Sequence, residues 1–379
     1  PWRYIMEKIL NDKVDEHSED LLKSIRTIVN IPSIKKNAEP DAPFGSDIKN
    51  ALVKTLQIAE NLGFRTVNLD NHIGYAQYGD GEGYIGVLGH LDVVKEGEGW
   101  KFPPFSGHIE NGKMYGRGVL DNKGPIISAL YGLYAIKEAD LKIKKPIRII
   151  FGTDEESSFS DIPYYLKREK PPVMGFTPDC KYPVGYAERG RANIQFQVTY
   201  DKINYEKRAE EFFNFLNSYI LSSKNTGDRL GINFSDKEFG TMEMRNYSIG
   251  KENNKLVFNL SLSYPSIVTI DEILKIIEPK LTGNIKLKLA LNYNPVRFDK
   301  DSFMVRMMQK AYEEVTNLDG TPVTTTGGTY AKVMPNIVPF GPSFPGQKGI
   351  SHNPNEYMDI KDIILNAKIF AQAIYNLAK

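Results

Sequence analysis

The sequence predicts an α/β protein with a mainly parallel sheet covered by helices, interrupted by a smaller α+β domain. Strand-like and helix-like segments alternate from Phe64 to Phe176, which argues a sheet with helices on both faces. Within that stretch the apolar run Tyr84 to Leu88 is bounded by glycines, as suits a strand buried on both sides. After Gly190 the rhythm changes to strand, helix, two strands, helix, strand, with no cluster of potential metal ligands. These observations divide the chain into residues 1–190, an inserted domain at 191–294, and a return to the first domain at 295–379, with Asn294-Pro295 as the hinge.

Taken in order, Leu21, Leu22, Ile25, Ile28 and Val29 recur at helical spacing behind Ser18 as N-cap, and Pro32 stops the run. Asp47 caps a second amphipathic helix through Leu62, ended by Gly63. Phe64 to Leu69 and Ile73 to Tyr78 read as strands, and Ser106 to Tyr115 as a hairpin turned by Asn111-Gly112. A helix from about Gly124 to Glu138, a strand Ile147 to Phe151, a helix near Ile162 to Arg168 and a strand Val173 to Phe176 complete this part. The insertion reads as strand Ala192 to Thr199, helix Arg208 to Leu221, strands Met242 to Ile249 and Lys255 to Leu262, helix Ile270 to Ile277 and strand Ile285 to Leu291. Helices near Asp301 to Val315 and Ile360 to Leu377 close the chain.

Composition narrows the function. The 379 residues carry 48 Lys+Arg against 47 Asp+Glu, a formal charge of +1, which gives no field to gather nucleic acid or an anionic bilayer. No stretch approaches the ~18 to 20 apolar residues of a membrane span, and Pro1 to Leu10 lacks the pattern of a secretion signal. The lone Cys180 forms no intrachain disulfide, so a reducing compartment, the cytoplasm, is expected. The chain opens on Pro rather than Met, as a trimmed N-terminus would. Nothing in the composition favours a monomer over a homodimer. Function must come from a local site.

Candidate chemistry lies just beyond the buried strands: His90 and Asp92, Asp121, Glu155-Glu156, Asp179, and much later His352. In an open α/β sheet the carboxyl ends of the strands converge on one crevice, so these groups can meet. His90 and Asp92 point to the same side of an extended segment, where the carboxylate can orient the imidazole toward a cation. The alternative is a buried histidine satisfied by its neighbour. Asp121, just before a helix and flanked by Gly116, Gly118 and Gly124, can bridge two cations through its two oxygens or serve as an N-cap. Glu155 and Glu156 follow an apolar strand; one gains by binding a cation while the other stays free to accept a proton. The competing reading is three acids on a solvated loop.

Other patterns fail. Gly81-Glu82-Gly83-Tyr84-Ile85-Gly86 matches a dinucleotide fingerprint literally but precedes a strand rather than opening a helix. Cys180 has no histidine near it in sequence and reads as a small buried residue. His17, His72 and His108 read as surface or packing residues.

Six ordered motifs resemble the two-metal aminoacylase and glutamate-carboxypeptidase superfamily of metallopeptidases. They are Gly89-His90-Leu91-Asp92, Gly116-Arg117-Gly118 with Asp121-Asn122-Lys123-Gly124, Gly152-Thr153-Asp154-Glu155-Glu156-Ser157, Thr177-Pro178-Asp179, Gly327-Gly328-Thr329-Tyr330-Ala331 and His352-Asn353-Pro354-Asn355-Glu356. Within it the likeness is greatest to bacterial carnosinase-type (Xaa-His) dipeptidases. The resemblance implies a zinc-exopeptidase-like catalytic domain at 1–190 and 295–379 and a lid at 191–294. It implies that Asp121 bridges two cations, with His90 and Asp179 completing one site and Glu156 and His352 the other. Glu155 would be the general base that takes a proton from a water activated by both cations, and Asp92 the orienter of His90. Zinc suits such donors, with manganese or cobalt as alternatives. Gly327, Gly328 and Thr329 are candidates for holding a substrate carboxylate through backbone N–H groups, though the turn reads equally as a flexible connection.

The expected activity is hydrolysis of a dipeptide or related N-acyl amino acid, with a small peptide as partner. Two departures raise an alternative. In such enzymes the lid supplies a His that stabilises the oxyanion and an Arg, in a Leu-Arg-Tyr-Pro stretch, that grips the substrate carboxylate. Here no His lies between His108 and His352, the matching stretch reads Leu262-Ser263-Tyr264-Pro265, and the lid is short from Tyr200 to Glu211. Loss of one oxyanion donor costs about 10² to 10³ in turnover. The alternative is a metal-loaded, catalytically impaired homologue that binds peptides or partners.

Overall fold

Glycine boundaries and apolar runs lay down the central sheet. The computed structural model describes residues 2–379. Helices α1 (Trp2–Glu16), α2 (Ser18–Val29) and α3 (Ser46–Asn61) precede strands β1 (Arg65–Leu69), β2 (Ile73–Tyr78) and β3 (Ile85–His90). Then come α4 (Lys123–Glu138), β4 (Ile147–Gly152), α5 (Asp161–Leu166) and β5 (Met174–Thr177). The second compact unit contains β6 (Gly190–Thr199), α6 (Tyr205–Leu216), β7 (Glu243–Glu252), β8 (Lys255–Tyr264), α7 (Ile270–Ile277) and β9 (Lys286–Tyr293). Helix α8 (Phe303–Thr316), strand β10 (Val338–Pro339) and helix α9 (Ile360–Ala378) return to the first unit. Among the described residues no helix is long and apolar enough to cross a membrane.

The six-stranded sheet runs β1-β2-β4-β3-β5-β10. It is antiparallel at the β1-β2-β4 edge and parallel from β4 through β10. Every residue of β3 is buried, matching its unbroken apolar reading. Helix α4 is buried along most of its length and packs on α9, where Gly132 lets the backbones approach: a Cβ there would stand 3.0 Å from the Ala371 nitrogen. Because β3, β4 and β5 are parallel, their carboxyl ends at His90, Gly152 and Thr177 open on one edge.

The first unit holds everything up to Tyr186 with Asp299–Val323 and Thr329–Lys379; the second holds Ala187–Phe298 and Thr324–Gly328. The second unit is built on an antiparallel sheet, β7-β8-β6-β9. Ala192, Ile194, Phe196 and Val198 alternate inward along β6 and share a core with Phe212 and Phe215 of α6 and Ile273 and Ile277 of α7. Thr269 and Glu272 form a capping box at the start of α7.

Some elements differ from their sequence-based bounds. The α2 helix starts at Ser18 itself, with His17 as the N-cap and no side-chain cap bond. Helix α6 ends at Leu216 and continues as a π-helical turn, Asn217–Leu221. Helix α1 had no sequence signal because only Leu10 and Val14 of its stripe are buried.

Gly124 fixes how α4 begins behind Asp121: a Cβ there would lie 1.9 Å from the Val119 carbonyl oxygen. Gly124→Ala is therefore expected to lower stability by about 2 to 4 kcal/mol, since backbone rather than a flexible side chain must move. Urea unfolding measures it; a loss near zero would mean that the loop shifts freely.

Candidate metal centre

Each candidate side chain is delivered by the end of a strand or the start of a helix. His90 ends β3, fully buried, with Nδ1 2.8 Å from the main-chain oxygen of Asp92 and 3.3 Å from that residue's carboxylate Oδ1. Its Nε2 stands 2.9 Å from Asp121 Oδ1, 3.4 Å from Asp179 Oδ2 and 3.5 Å from Glu155 Oε2. His352, in left-handed backbone at φ 65, places Nε2 2.9 Å from both Asp121 Oδ2 and Glu156 Oε1. The two oxygens of Asp121 thus face two different imidazoles. The Asp121–Asn122 peptide is cis, and Asn122 Oδ1 accepts the N–H of His90.

The ligand-type atoms of His90, Asp121 and Glu156 lie within 4.8 Å of one another, and so do those of His90, Glu155 and Asp179. With Nδ1–H directed at the Asp92 carbonyl, Nε2 of a neutral His90 turns a lone pair toward three carboxylate oxygens. One proton there satisfies only one of them. The donor set fits divalent cations on this ground.

Titration behaviour reflects the same crowding. Burial, reinforced by the charge of Asp179, pushes the Glu155 carboxyl well above its usual range. Burial also raises Glu156 and Asp179 to about 7 each. Asp121 goes the other way: burial pulls it up, but hydrogen bonds from His352 and His90 outweigh that and hold it low. His352 rises to about 10 through its hydrogen bonds to Asp121 and Glu156. For His90 burial works against the charged form, and Glu155, Asp179 and Asp92 overcome it, so the imidazole is raised.

The Asp92 carboxylate does more than face His90. It accepts the N–H of Glu156 at 2.9 Å and of Glu155 at 3.3 Å, tying the acidic turn to the end of β3. Two further carboxylates that sequence reasoning did not single out hold the loops. Buried Glu356 accepts the N–H groups of Gly118, Leu120 and Asp121 at 3.0, 2.9 and 3.1 Å, and pairs with Arg117 Nη1 at 2.9 Å. Arg117 also donates to the carbonyls of Asn353 and Glu96 and lies over the Trp100 ring. The loops bearing Asp121 and His352 are therefore joined through one buried ion pair. Asp161 accepts the N–H of Thr153 at 2.8 Å and the hydroxyl of Tyr330 at 2.5 Å. Glu356 and Arg117 both lie inside motifs already noted, but nothing local in the sequence marks them as a pair.

Gly327 and Gly328 are exposed and belong to the second unit, whereas Thr329 is buried in the first. The Thr329 hydroxyl accepts the N–H of Ala331 as the cap of the short turn Tyr330–Lys332. His72 stacks on Tyr164, His108 on Phe102, and His17 packs on Tyr134.

A sequence model of peptidase family M20/M25/M40 matches residues 86–376. The β-Ala-Xaa dipeptidase of Lactobacillus delbrueckii subsp. lactis is 27% identical over 466 positions that span 99% of each chain. Against 379 residues, at least 87 of those 466 positions have no counterpart here. Human carnosine dipeptidase 1 superposes with a TM-score of 0.75 at 14% identity, and the dipeptidase Dug1p of Saccharomyces cerevisiae with 0.74 at 16%, each over 98% of both chains. At such identities these two likenesses speak for a shared fold.

Truncating Arg117 strands the Glu356 charge in the interior. Arg117→Ala is expected to cost about 3 to 5 kcal/mol in chemical unfolding. A loss within ~0.5 kcal/mol, the range of ordinary surface changes, would show that the pair does not hold the two loops.

Proposed function

We propose, for a chain that belongs to peptidase family M20/M25/M40, that the reaction is hydrolysis of the amide bond of a dipeptide or a related N-acyl amino acid, assisted by two divalent cations. The observation that carries this reading is Asp121, whose two oxygens each lie 2.9 Å from a different imidazole, those of His90 and His352. His90 and Asp179 would hold one cation, Glu156 and His352 the other, with Asp121 between them. The family match, the relatives named dipeptidases and a dinuclear metal-binding peptidase from Bacillus subtilis among the structural neighbours support it. Imidazole with carboxylate suits zinc, and manganese or cobalt fits the oxygen-rich part.

When bound, the cations supply Lewis acidity toward the scissile carbonyl and make water acidic enough to react near neutral pH. Glu155 takes the proton. Burial raises its proton affinity, the direction a general base needs, and Asp92 accepts its backbone N–H. Gly327, Gly328 and Thr329 form the proposed turn for the substrate carboxylate.

The absence of any His between His108 and His352, together with the 87 or more unmatched positions, favours one competing reading. It is a metal-loaded protein that binds peptides with little turnover. A dipeptide panel with metal analysis separates the two: turnover abolished by chelation and restored by metal supports the enzyme, and stoichiometric metal without turnover supports the binder. Glu155→Gln is expected to lower kcat by about 10² to 10⁴ while metal content stays unchanged. Unaltered turnover in that variant would remove Glu155 as the base.

The raised groups also set a pH dependence. Without metal, Glu156 and Asp179 keep protons up to about pH 7 that an unfolded chain releases near ~4. His352 keeps its proton to about 10 against ~6.5 unfolded. The native state therefore binds more protons: the two carboxyls cost increasing stability as pH rises from about 4 to 7, and the stabilising contribution of His352, complete below about 6.5, is lost between about 6.5 and 10. Cation uptake displaces those protons, so the gain in Tm on adding manganese(II) should be larger at pH 8 than at pH 5.5. Equal gains at both values, read by thermal unfolding, would contradict the ligand set.

A further inference from the structure

We infer that Tyr330 is a positioning residue for the proposed reaction: acting through Asp161, it fixes the turn that carries Glu155 and Glu156. This rests on the hydrolytic reading above. The turn is first closed on itself. Fully buried Asp154 accepts the Ser158 hydroxyl at 2.7 Å and the Ser160 N–H at 3.1 Å, and its carbonyl accepts the N–H of Phe159 at 2.9 Å. Phe159 sits in left-handed backbone at φ 56, which a bulky residue adopts only when its surroundings impose it. A loop closed in this way moves as one body unless the frame holds it at several points. Asp92 holds it at the N–H groups of Glu155 and Glu156, and Lys35 Nζ holds Asp154 Oδ1 at 2.8 Å. Tyr330 supplies the third hold.

Tyr330 is fully buried and belongs to the same compact unit as the turn. Its hydroxyl donates to Asp161 Oδ2 at 2.5 Å, and the same oxygen accepts the N–H groups of Thr153 and Asp154 at 2.8 and 3.2 Å. Asp161 Oδ1 has no hydrogen-bond partner, so among the described residues the tyrosine is the one side-chain donor to this buried carboxylate. Room for the hydroxyl comes from Gly152 at the end of β4, where a Cβ would collide with it and stand 2.8 Å from Asp161 Oδ2. The ring lies 5.6 Å from Phe159 and 6.3 Å from His90 between centroids, near perpendicular to the imidazole. One stiff side chain therefore touches the far end of the acidic turn and also the imidazole proposed to hold a cation. Its place sets the spacing between that imidazole and the carboxylate proposed to take the proton, and misplacement by about 1 Å can cost on the order of 10²-fold in rate.

The test uses Tyr330→Phe, which keeps the ring and removes the hydroxyl. In hydrogen exchange of the full-length, metal-free protein, the amides of residues 153–156 should exchange about 10- to 10²-fold faster, as for a lost hydrogen bond to a charged group, while β3 and α8 keep their wild-type rates. Asp161→Asn should show the same local change. With manganese(II) bound, kcat for alanyl-leucine should fall by about 10- to 10²-fold while KM stays within about twofold. Tyr330→Phe added to Glu155→Gln should bring no further loss, since the two would act through one step. Wild-type exchange over residues 153–156, faster exchange throughout the chain, an unchanged kcat, or additive losses in the double variant would each overturn the inference. Where no dipeptide is hydrolysed but the local change in exchange is found, the hydrolytic reading falls and the hold of Tyr330 on the turn stands.

Discussion

Five carboxylates and two imidazoles share the mouth of one sheet, and their mutual repulsion is the constraint that the surrounding structure answers. Asp121 faces both imidazoles, and Glu155, Glu156 and Asp179 each approach one of them within 3.5 Å. Left to themselves such groups would swing apart into water, where each is better solvated. They are kept together because the backbone beneath them is pinned by other carboxylates. Asp92 holds the Glu155–Glu156 turn, Glu356 holds the loop that ends in Asp121, and Asp161 holds the residues just before the acidic turn. Each accepts backbone N–H groups, so the inner ring is positioned through the main chain and its side chains stay available to a ligand. The result is a cluster with a high affinity for positive charge, met by protons alone only in part.

This division between ligands and anchors explains what could be read from sequence. The His90-x-Asp92 spacing puts both side chains on one side of an extended segment by alternation, and in the structure an Asp92 carboxylate oxygen lies 3.3 Å from His90 Nδ1. It does not decide which oxygen of Asp92 meets the imidazole. In the structure the main-chain oxygen is nearer, at 2.8 Å, and the carboxylate also serves the neighbouring turn. Asp121 read equally well as an N-cap, yet α4 starts after Asn122, without a side-chain cap bond, and the Asp121 oxygens face the imidazoles. The Arg117–Glu356 pair joins residues 239 apart, and no periodicity or local motif encodes a contact at that range. The parallel part of the sheet was legible because β3 and β4 are nearly pure apolar runs. Helix α1 was not, because its buried stripe is only two residues wide.

The second unit carries a different lesson. Its strands and helices follow from alternation and helical spacing, and the Ala192–Val198 stripe faces one core without interruption. What alternation cannot tell is whether an outward residue is simply solvated. Asn193, Gln195, Asn259 and Ser261 on the open face are joined by side-chain hydrogen bonds, so their polarity is used within the sheet. Arg191 lies on the same outward register and stands outside that network, beside a turn made of two glycines. Outward position alone does not separate the two cases; the presence or absence of a partner does.

Glu155 bears most directly on what the cluster is for. A site that merely stores cations needs donors that bind them and gains nothing from an additional buried carboxylate, which must be desolvated and repels its neighbours. In the proposed ligand set each cation already has an imidazole, its own carboxylate and a share of Asp121. Glu155 is a further acid, 3.5 Å from His90 Nε2, with its proton affinity raised by burial and by Asp179. Its backbone N–H is held by the same Asp92 that anchors Glu156, which fixes the main chain from which its side chain projects. A carboxylate maintained there against repulsion is costly as structure and useful as a proton acceptor. That asymmetry favours hydrolysis over passive peptide binding, even in a chain with no histidine in its middle domain.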